Sequence, residues 1–192
     1  MARKMGFYGV VAYVLYGFAV YWYLFYFADS NLPFEFEGSR ADPATFLNVR
    51  ELMLSEEYSK IRNLLFFLST PLEWLFYFLI LLLGLSKAFK KWGEETAKNK
   101  YGQTAIYLIW LSFFAYIATF PLSYISYTLS KTYNISTQTF ASWMKDELID
   151  FWVNYAMMFV IVIVLYWLMN KFKRFWWLFA WMLSVPFTLF IM

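Results

Sequence analysis

Five apolar segments, each close to the length of a membrane-spanning helix, dominate this sequence. They cover residues 7–27, 64–86, 104–127, 151–169 and 175–192. A helix needs roughly 20 mainly apolar residues to cross the hydrocarbon layer of a bilayer. Hydrophobic residues make up 62% of the chain, against roughly 45–50% in ordinary soluble domains. The sequence therefore predicts an all-α polytopic membrane protein with about five transmembrane helices, and we interpret the whole chain as one membrane domain.

Two more helices are predicted at the membrane surface. Residues 45–62 carry apolar side chains at helical spacing and lead into the second span, with Ser55 as a candidate N-cap. Residues 137–150 form an amphipathic pattern that leads into the fourth span, with Ser136 or Thr137 as the N-cap. These helices are expected to lie in the interface and to continue into the spans that follow them.

The charges of the connecting segments predict an orientation. Two basic residues precede the first span, residues 87–100 carry five lysines against two glutamates, and three basic residues separate the last two spans. The connections 28–62 and 128–150 carry seven acids against four bases and three acids against two bases. Because basic connections stay in the cytoplasm, we expect a cytoplasmic N-terminus and an outer C-terminus in a multi-pass cell membrane protein, or in the endoplasmic reticulum of a eukaryote.

The absence of histidine and cysteine restricts the chemistry of the chain. Without imidazole there is no HExxH zinc motif and no His-based catalytic triad, and without thiols there is no thiolate metal site. We therefore expect no catalytic residue and no metal ligand set within these residues. The basic residues do not interleave with the aromatic ones in a soluble patch, so no nucleic-acid partner is predicted.

Three of the polar residues within the predicted spans are candidate functional positions. Glu73 follows Arg62 by 11 residues, which places it near the bilayer centre, where a carboxylate costs about 2.5–3.5 kcal/mol. Glu73, Asn154 and Ser112 are candidate lining residues of a polar chamber. Alternatively, Glu73 is protonated and bonded to a neighbouring helix, or lies at a shallower depth because its helix starts at Pro71. Asn154 can also serve as a hydrogen-bonding contact between helices.

Two stretches resemble the CAAX prenyl protease-type zinc metalloproteases. The first, "LSEEYSKIRNLLFFLSTPLEWLFYFLILLLG", is similar to the family's helix leading into its second span, with Glu57 and Tyr58 among the matching residues. The second, "FPLSYISYTLSKTYNISTQTFASWMKDELI", is similar to the family's connection between two later spans. Its matching residues include Pro121, Tyr124, Asn134, Gln138, Trp143 and Asp146.

The resemblance implies the non-catalytic membrane half of such a protease. In the family, about five membrane helices enclose a chamber and precede a zinc domain with HExxH, which these residues lack. The implied partners are the lipid bilayer, that catalytic domain with its zinc, and a prenylated or membrane protein substrate. No activity is expected from these residues alone; a longer polypeptide containing them would be a zinc metalloendopeptidase. The alternative is a non-enzymatic membrane scaffold that binds lipid or a partner membrane protein.

Overall fold

The computed structural model describes residues 2–28, 34–40 and 42–191. In these residues the fold is all-α, as predicted. The α-helices are α1 (Ala2–Trp22, continued by a π-helical turn at Tyr23–Phe27), α2 (Val49–Leu83), α3 (Leu85–Thr96), α4 (Lys100–Thr132), α5 (Phe140–Lys171) and α6 (Trp176–Ile191). Within the described residues α1, α2, α4 and α5 are long and apolar enough to cross a membrane, and α6 is a shorter apolar helix.

The helices group into two compact units. The first unit contains residues 1–86 and 114–143, and the second contains residues 87–113 and 144–192. The first therefore holds α1, α2, the second half of α4 and the start of α5. The second holds almost all of α3, the first half of α4, most of α5, and α6.

In the first unit, α1 packs closely against α2 through glycines. A β-carbon added at any of three glycines of α1 would lie 3.1–3.3 Å from a leucine side chain of α2. Small residues let helix backbones approach in lipid, where dispersion contacts drive association. The facing pairs are Gly6 with Leu79, Gly9 with Leu75, and Gly17 with Leu68.

Pro71 lies inside α2 and does not start the helix. The alternative that Glu73 lies at a shallower depth because its helix starts at Pro71 is therefore excluded. A proline has no backbone N–H, which leaves the carbonyl four residues earlier, that of Phe67, without its helical donor. The hydroxyl of Tyr16 donates to the Phe67 carbonyl at 3.2 Å, and that of Tyr13 donates to the Leu68 carbonyl at 3.2 Å. Two tyrosines of α1 thus satisfy the α2 backbone where the proline interrupts it.

The start of α2 differs from the prediction. Asn48 accepts a hydrogen bond from the Glu51 N–H at 2.9 Å, and the Glu51 carboxylate accepts one from the Asn48 N–H at 2.9 Å. This capping box starts the helix at Val49. The predicted cap at Ser55 is wrong, because Ser55 lies inside the helix.

The start of α5 also differs from the prediction. The Thr139 hydroxyl accepts a hydrogen bond from the Ser142 N–H at 3.3 Å, and α5 begins at Phe140. Thr139 is therefore the N-cap residue, and the predicted caps at Ser136 and Thr137 are wrong.

The charge pattern of residues 87–100 predicts only a connection, but the structure forms helix α3 there. Gly84 adopts a left-handed conformation (φ 74°) that ends α2. Phe89 of α3 is fully buried, with its ring 6.2 Å from that of Tyr107 on α4. A β-carbon added at Gly93 would lie 2.8 Å from the backbone oxygen of Gln103. The two helices therefore form a tight hairpin in the second unit.

Candidate functional site

The two family-like stretches meet in the first unit. The Tyr58 hydroxyl of α2 lies 3.5 Å from the Ser130 hydroxyl of α4, across 72 positions of sequence. The Tyr58 ring also lies 5.6 Å from the ring of Tyr133, just after the end of α4. We call the set Glu57, Tyr58, Ser130 and Tyr133 the rim contact. It joins the part of α2 before its apolar segment to the turn that follows α4.

The rim contact includes a hydrogen bond to a carboxylate. The Tyr133 hydroxyl donates to Glu57. Partial burial, this hydrogen bond and the charge of Glu57 raise the pKa of Tyr133 above its ordinary value. Because a free tyrosine titrates near pH 10, Tyr133 stays protonated at physiological pH and keeps donating to Glu57.

Asn134 gives the turn after α4 its shape. It has a positive φ of 55°, a left-handed conformation that asparagine tolerates better than most residues. This allows the N–H groups of Ile135 and Ser136 to donate to the Ser130 carbonyl at 2.9 and 3.1 Å. The hydrogen bonds satisfy a carbonyl at the helix end, and they explain why asparagine suits this position.

An aromatic cluster surrounds Trp143 at the start of α5. Trp143 is buried, with 8% of its surface exposed. Its ring stacks on Tyr127 at 4.8 Å between centroids, and the ring centroids of Phe120, Tyr124 and Phe140 lie 5.7–5.9 Å from it. These five residues, the aromatic cluster, fix the start of α5 against the second half of α4.

Gln138 connects the turn to this cluster. Its backbone carbonyl accepts a hydrogen bond from the Tyr127 hydroxyl at 3.2 Å, and its side-chain amide donates to the Ser142 hydroxyl at 3.4 Å. Pro121 lies inside α4, which continues to Thr132, so it does not end the helix. Asp146 lies three residues beyond Trp143, exposed, in the second unit.

Glu73 lies on the side of α2 opposite to α1. Leu75 contacts Gly9 of α1, and Glu73 is two residues, or about 200°, away around the helix. Its side chain is exposed on this chain. It precedes the last helical residue, Leu83, by about 15 Å, half the hydrocarbon thickness of roughly 30 Å. Tyr77, one turn further on, shares this exposed face, which we call the Glu73 face.

The other two candidate lining residues lie in the second unit. Ser112 of α4 is half-buried, and Asn154 of α5 is exposed. Asn154 precedes Tyr155, whose hydroxyl donates to the Ala105 carbonyl of α4 at 3.1 Å. Tyr155, a residue that the sequence did not mark, thus makes a hydrogen bond between these helix segments.

The residues of this chain do not fit a zinc site. The sequence contains no histidine and no cysteine. Among the residues that the structure describes, no group of three or more carboxylates is placed to hold a metal ion. A protein zinc site uses three or four such nitrogen, sulfur or oxygen ligands. Within the part of the chain that the structure describes, no zinc ligand set is therefore present.

Comparison with known proteins decides the family. The sequence profile of the CAAX prenyl protease N-terminal domain, described as five membrane helices, matches residues 39–192. The chain belongs to the CAAX prenyl protease N-terminal family. It is also 45% identical over 181 residues to the uncharacterized metalloprotease YhfN of Bacillus subtilis (strain 168), covering 94% of this chain but only 42% of YhfN. No solved structure matches.

Sequence reasoning missed two residues that complete the site of this family member. Ser130 is the partner of Tyr58 and also supplies the carbonyl that closes the turn at Asn134. No local sequence pattern identifies Ser130, because its partner is 72 positions away in the sequence. Thr139, the actual cap of α5, could have been found, since a threonine three residues before a helical N–H is a typical cap.

Proposed function

We propose that this chain is the membrane half of a CAAX prenyl protease-like zinc metalloendopeptidase. Its helices would enclose a chamber in the membrane that delivers substrate to a catalytic zinc domain outside these residues. Two findings support this: the family membership, and a metalloprotease relative of which the chain covers 42%. The zinc, its ligands and the general base would belong to that other part, since they have no counterpart here.

The observation that carries the chamber proposal is the position of Glu73. An exposed carboxyl group at the bilayer centre is costly in lipid, so such residues face a water-filled cavity or a polar protein partner. α1 occupies the opposite side of α2 and cannot cover Glu73. We propose that the Glu73 face is chamber wall, and we keep Asn154 and Ser112 as further candidate chamber-lining residues.

The rim contact and the aromatic cluster would form the mouth of this chamber. They hold the end of α4, the turn at Asn134 and the start of α5 in one arrangement. A prenylated protein is the substrate suggested by the family name, and a membrane protein is the other candidate. Either substrate is apolar enough to diffuse within the membrane to a chamber mouth at the bilayer surface.

A single cysteine at position 73 tests the chamber. The chain has no native cysteine, so Glu73→Cys gives one unique thiol in the protein as expressed in its membrane. A water-filled wall predicts labelling by a charged thiol reagent at least ~10-fold faster than at Trp74→Cys, because the reagent needs water and a thiolate. Trp74 is the matched control: it has the same depth, is 70% exposed and lies a quarter turn away. Equal slow labelling at both positions would refute the chamber wall.

The non-enzymatic scaffold is the second candidate, favoured by the absence of any catalytic group in these residues. Zinc-dependent, chelator-sensitive peptide cleavage by the natively expressed polypeptide supports the protease. A natively expressed protein of this length with no such cleavage supports the scaffold.

We further propose that the N-terminus lies in the cytoplasm and the C-terminus outside. The charge asymmetry of the connections supports this orientation. Single cysteines at Arg40, Glu95 and Ile135 are expected to react with an impermeant reagent in intact cells at the first and third positions only. Labelling at Glu95→Cys alone would show that the topology is the reverse of the proposed one.

A further inference from the structure

Helix α3 displays a basic surface that the proposed chamber does not use. Between them, residues 85–100 and 171–174 carry eight basic residues against two acids. Both segments belong to the second unit. Each directly adjoins apolar helix: residues 85–100 connect α2 to α4, and residues 171–174 connect α5 to α6. These charges therefore lie where a chain leaves the hydrocarbon layer.

Packing on α4 fixes which side of α3 is free. Phe89 is fully buried and Gly93 approaches the α4 backbone, so this side of α3 is occupied. Lys87 and Lys91 are one turn apart and lie two residues, or about 200°, from Phe89 and Gly93. Both lysines are exposed, as is Lys90. The hairpin thus presents a lysine face on a rigid helix rather than on a loose loop.

The acids of α3 do not neutralise this face. Lys90 and Lys91 lie 3.6 Å from Glu94 and Glu95, but both lysine side chains are 73% exposed. Exposed ion pairs of this kind are weak and screened by salt. The lysines therefore remain available to a stronger anion.

The link between α5 and α6 adds basic groups of an interfacial type. The Lys171 ammonium lies 4.7 Å from the Trp167 ring, and the Arg174 guanidinium lies 5.6 Å from the Phe175 ring. Cations that rest on aromatic rings beside an apolar helix are typical of the headgroup region. The anion at this level of a membrane is the lipid phosphate.

We propose that the lysine face of α3, supported by the α5–α6 link, binds the headgroups of anionic phospholipids. Each basic residue near a membrane surface strengthens attraction to an anionic leaflet several-fold. A zwitterionic headgroup offers no net charge to this face, so the site discriminates between lipid classes. The bound lipid would anchor the α3–α4 hairpin to the bilayer surface.

Spin-labelled lipids in reconstituted bilayers measure this preference directly. The full chain is expected to select phosphatidylglycerol over phosphatidylcholine by about fivefold or more at low salt, and much less in 1 M salt. The triple variant K87Q/K90Q/K91Q is expected to lower the ratio by about threefold or more, whereas K87R/K90R/K91R keeps it. The matched control K60Q/K131Q/K145Q removes three lysines from the other connections and is expected to leave the ratio unchanged.

Two results would overturn the proposal. One is a wild-type ratio of one, which would mean that no lipid selection occurs. The other is an equal fall in both glutamine triples, which would mean that total charge and not the α3 face determines selection.

Discussion

Replacing Trp143 with alanine is expected to destabilise the protein by about 3–5 kcal/mol, the usual cost of removing a buried tryptophan. Trp143 is 8% exposed and its ring contacts four other aromatic rings, with the closest stacking on Tyr127. Its loss leaves a cavity where α5 begins, beside the turn that carries Asn134. Chemical denaturation in mixed micelles, followed by circular dichroism, measures the change.

Trp152→Ala is the matched control for this prediction. Trp152 lies in the same helix but is 54% exposed, so its removal leaves no comparable cavity and is expected to cost less than about 1 kcal/mol. Trp143→Phe keeps an aromatic ring and is expected to recover part of the loss. Equal destabilisation by Trp143→Ala and Trp152→Ala would show that the aromatic cluster does not stabilise the fold.

The rim contact could not be predicted from the sequence. The all-α membrane class follows from apolar length alone, since the bilayer thickness sets the length of a spanning helix. Tyr58 and Asn134 could be singled out by resemblance. That Tyr58 meets Ser130, 72 positions away, depends on how α2 and α4 pack. No periodicity within either helix contains that information.

The helix caps were missed for a different reason. Ser55 followed by two glutamates resembles a helix start, but Asn48 with Glu51 forms a capping box seven residues earlier. Both patterns are present in the sequence, and either could start a helix locally. The earlier one prevails because the residues between them are good helix formers, so each turn added gains hydrogen bonds once the helix is nucleated.

Glu73 combines a sequence prediction with a structural one. The sequence predicts that the carboxyl lies at mid-span, since depth follows from position along an apolar helix. Which side it faces could not be read from the sequence, because aromatic and aliphatic residues surround the whole of α2. The structure supplies the side: the glycines of α1 occupy the leucine face, and Glu73 lies opposite.

Helix α3 could not be identified from the hydropathy of the sequence. Its lysines and glutamates made residues 87–100 look like a connection, although Phe89, Trp92 and Gly93 already had helical spacing. A short charged helix contributes little apolar length, so the criterion that identifies membrane spans does not identify it. Its position depends on one glycine, which allows α3 and α4 to approach to backbone contact.

Gly93→Leu is therefore expected to separate α3 from α4 and to lower the free energy of unfolding by more than about 3 kcal/mol, at or beyond the upper end for overpacking. The β-carbon alone would lie 2.8 Å from the Gln103 backbone oxygen, and backbone cannot move aside as a side chain can. Gly93→Ala carries the same clash and is expected to destabilise by about 1–3 kcal/mol.

Gly6→Ala is the control that isolates the clash at Gly93. It makes the same change inside a helix, where alanine is intrinsically favoured by about 0.5–1 kcal/mol. Its new methyl would meet the flexible ends of two side chains, Leu79 at 3.3 Å and Leu82 at 3.9 Å, so a near-neutral effect is expected. Thermal unfolding in detergent compares the two variants. If Gly93→Ala were as stable as Gly6→Ala, the close approach of α3 and α4 would be wrong, and the lysine face would lose the rigid support on which selective binding of anionic lipid depends.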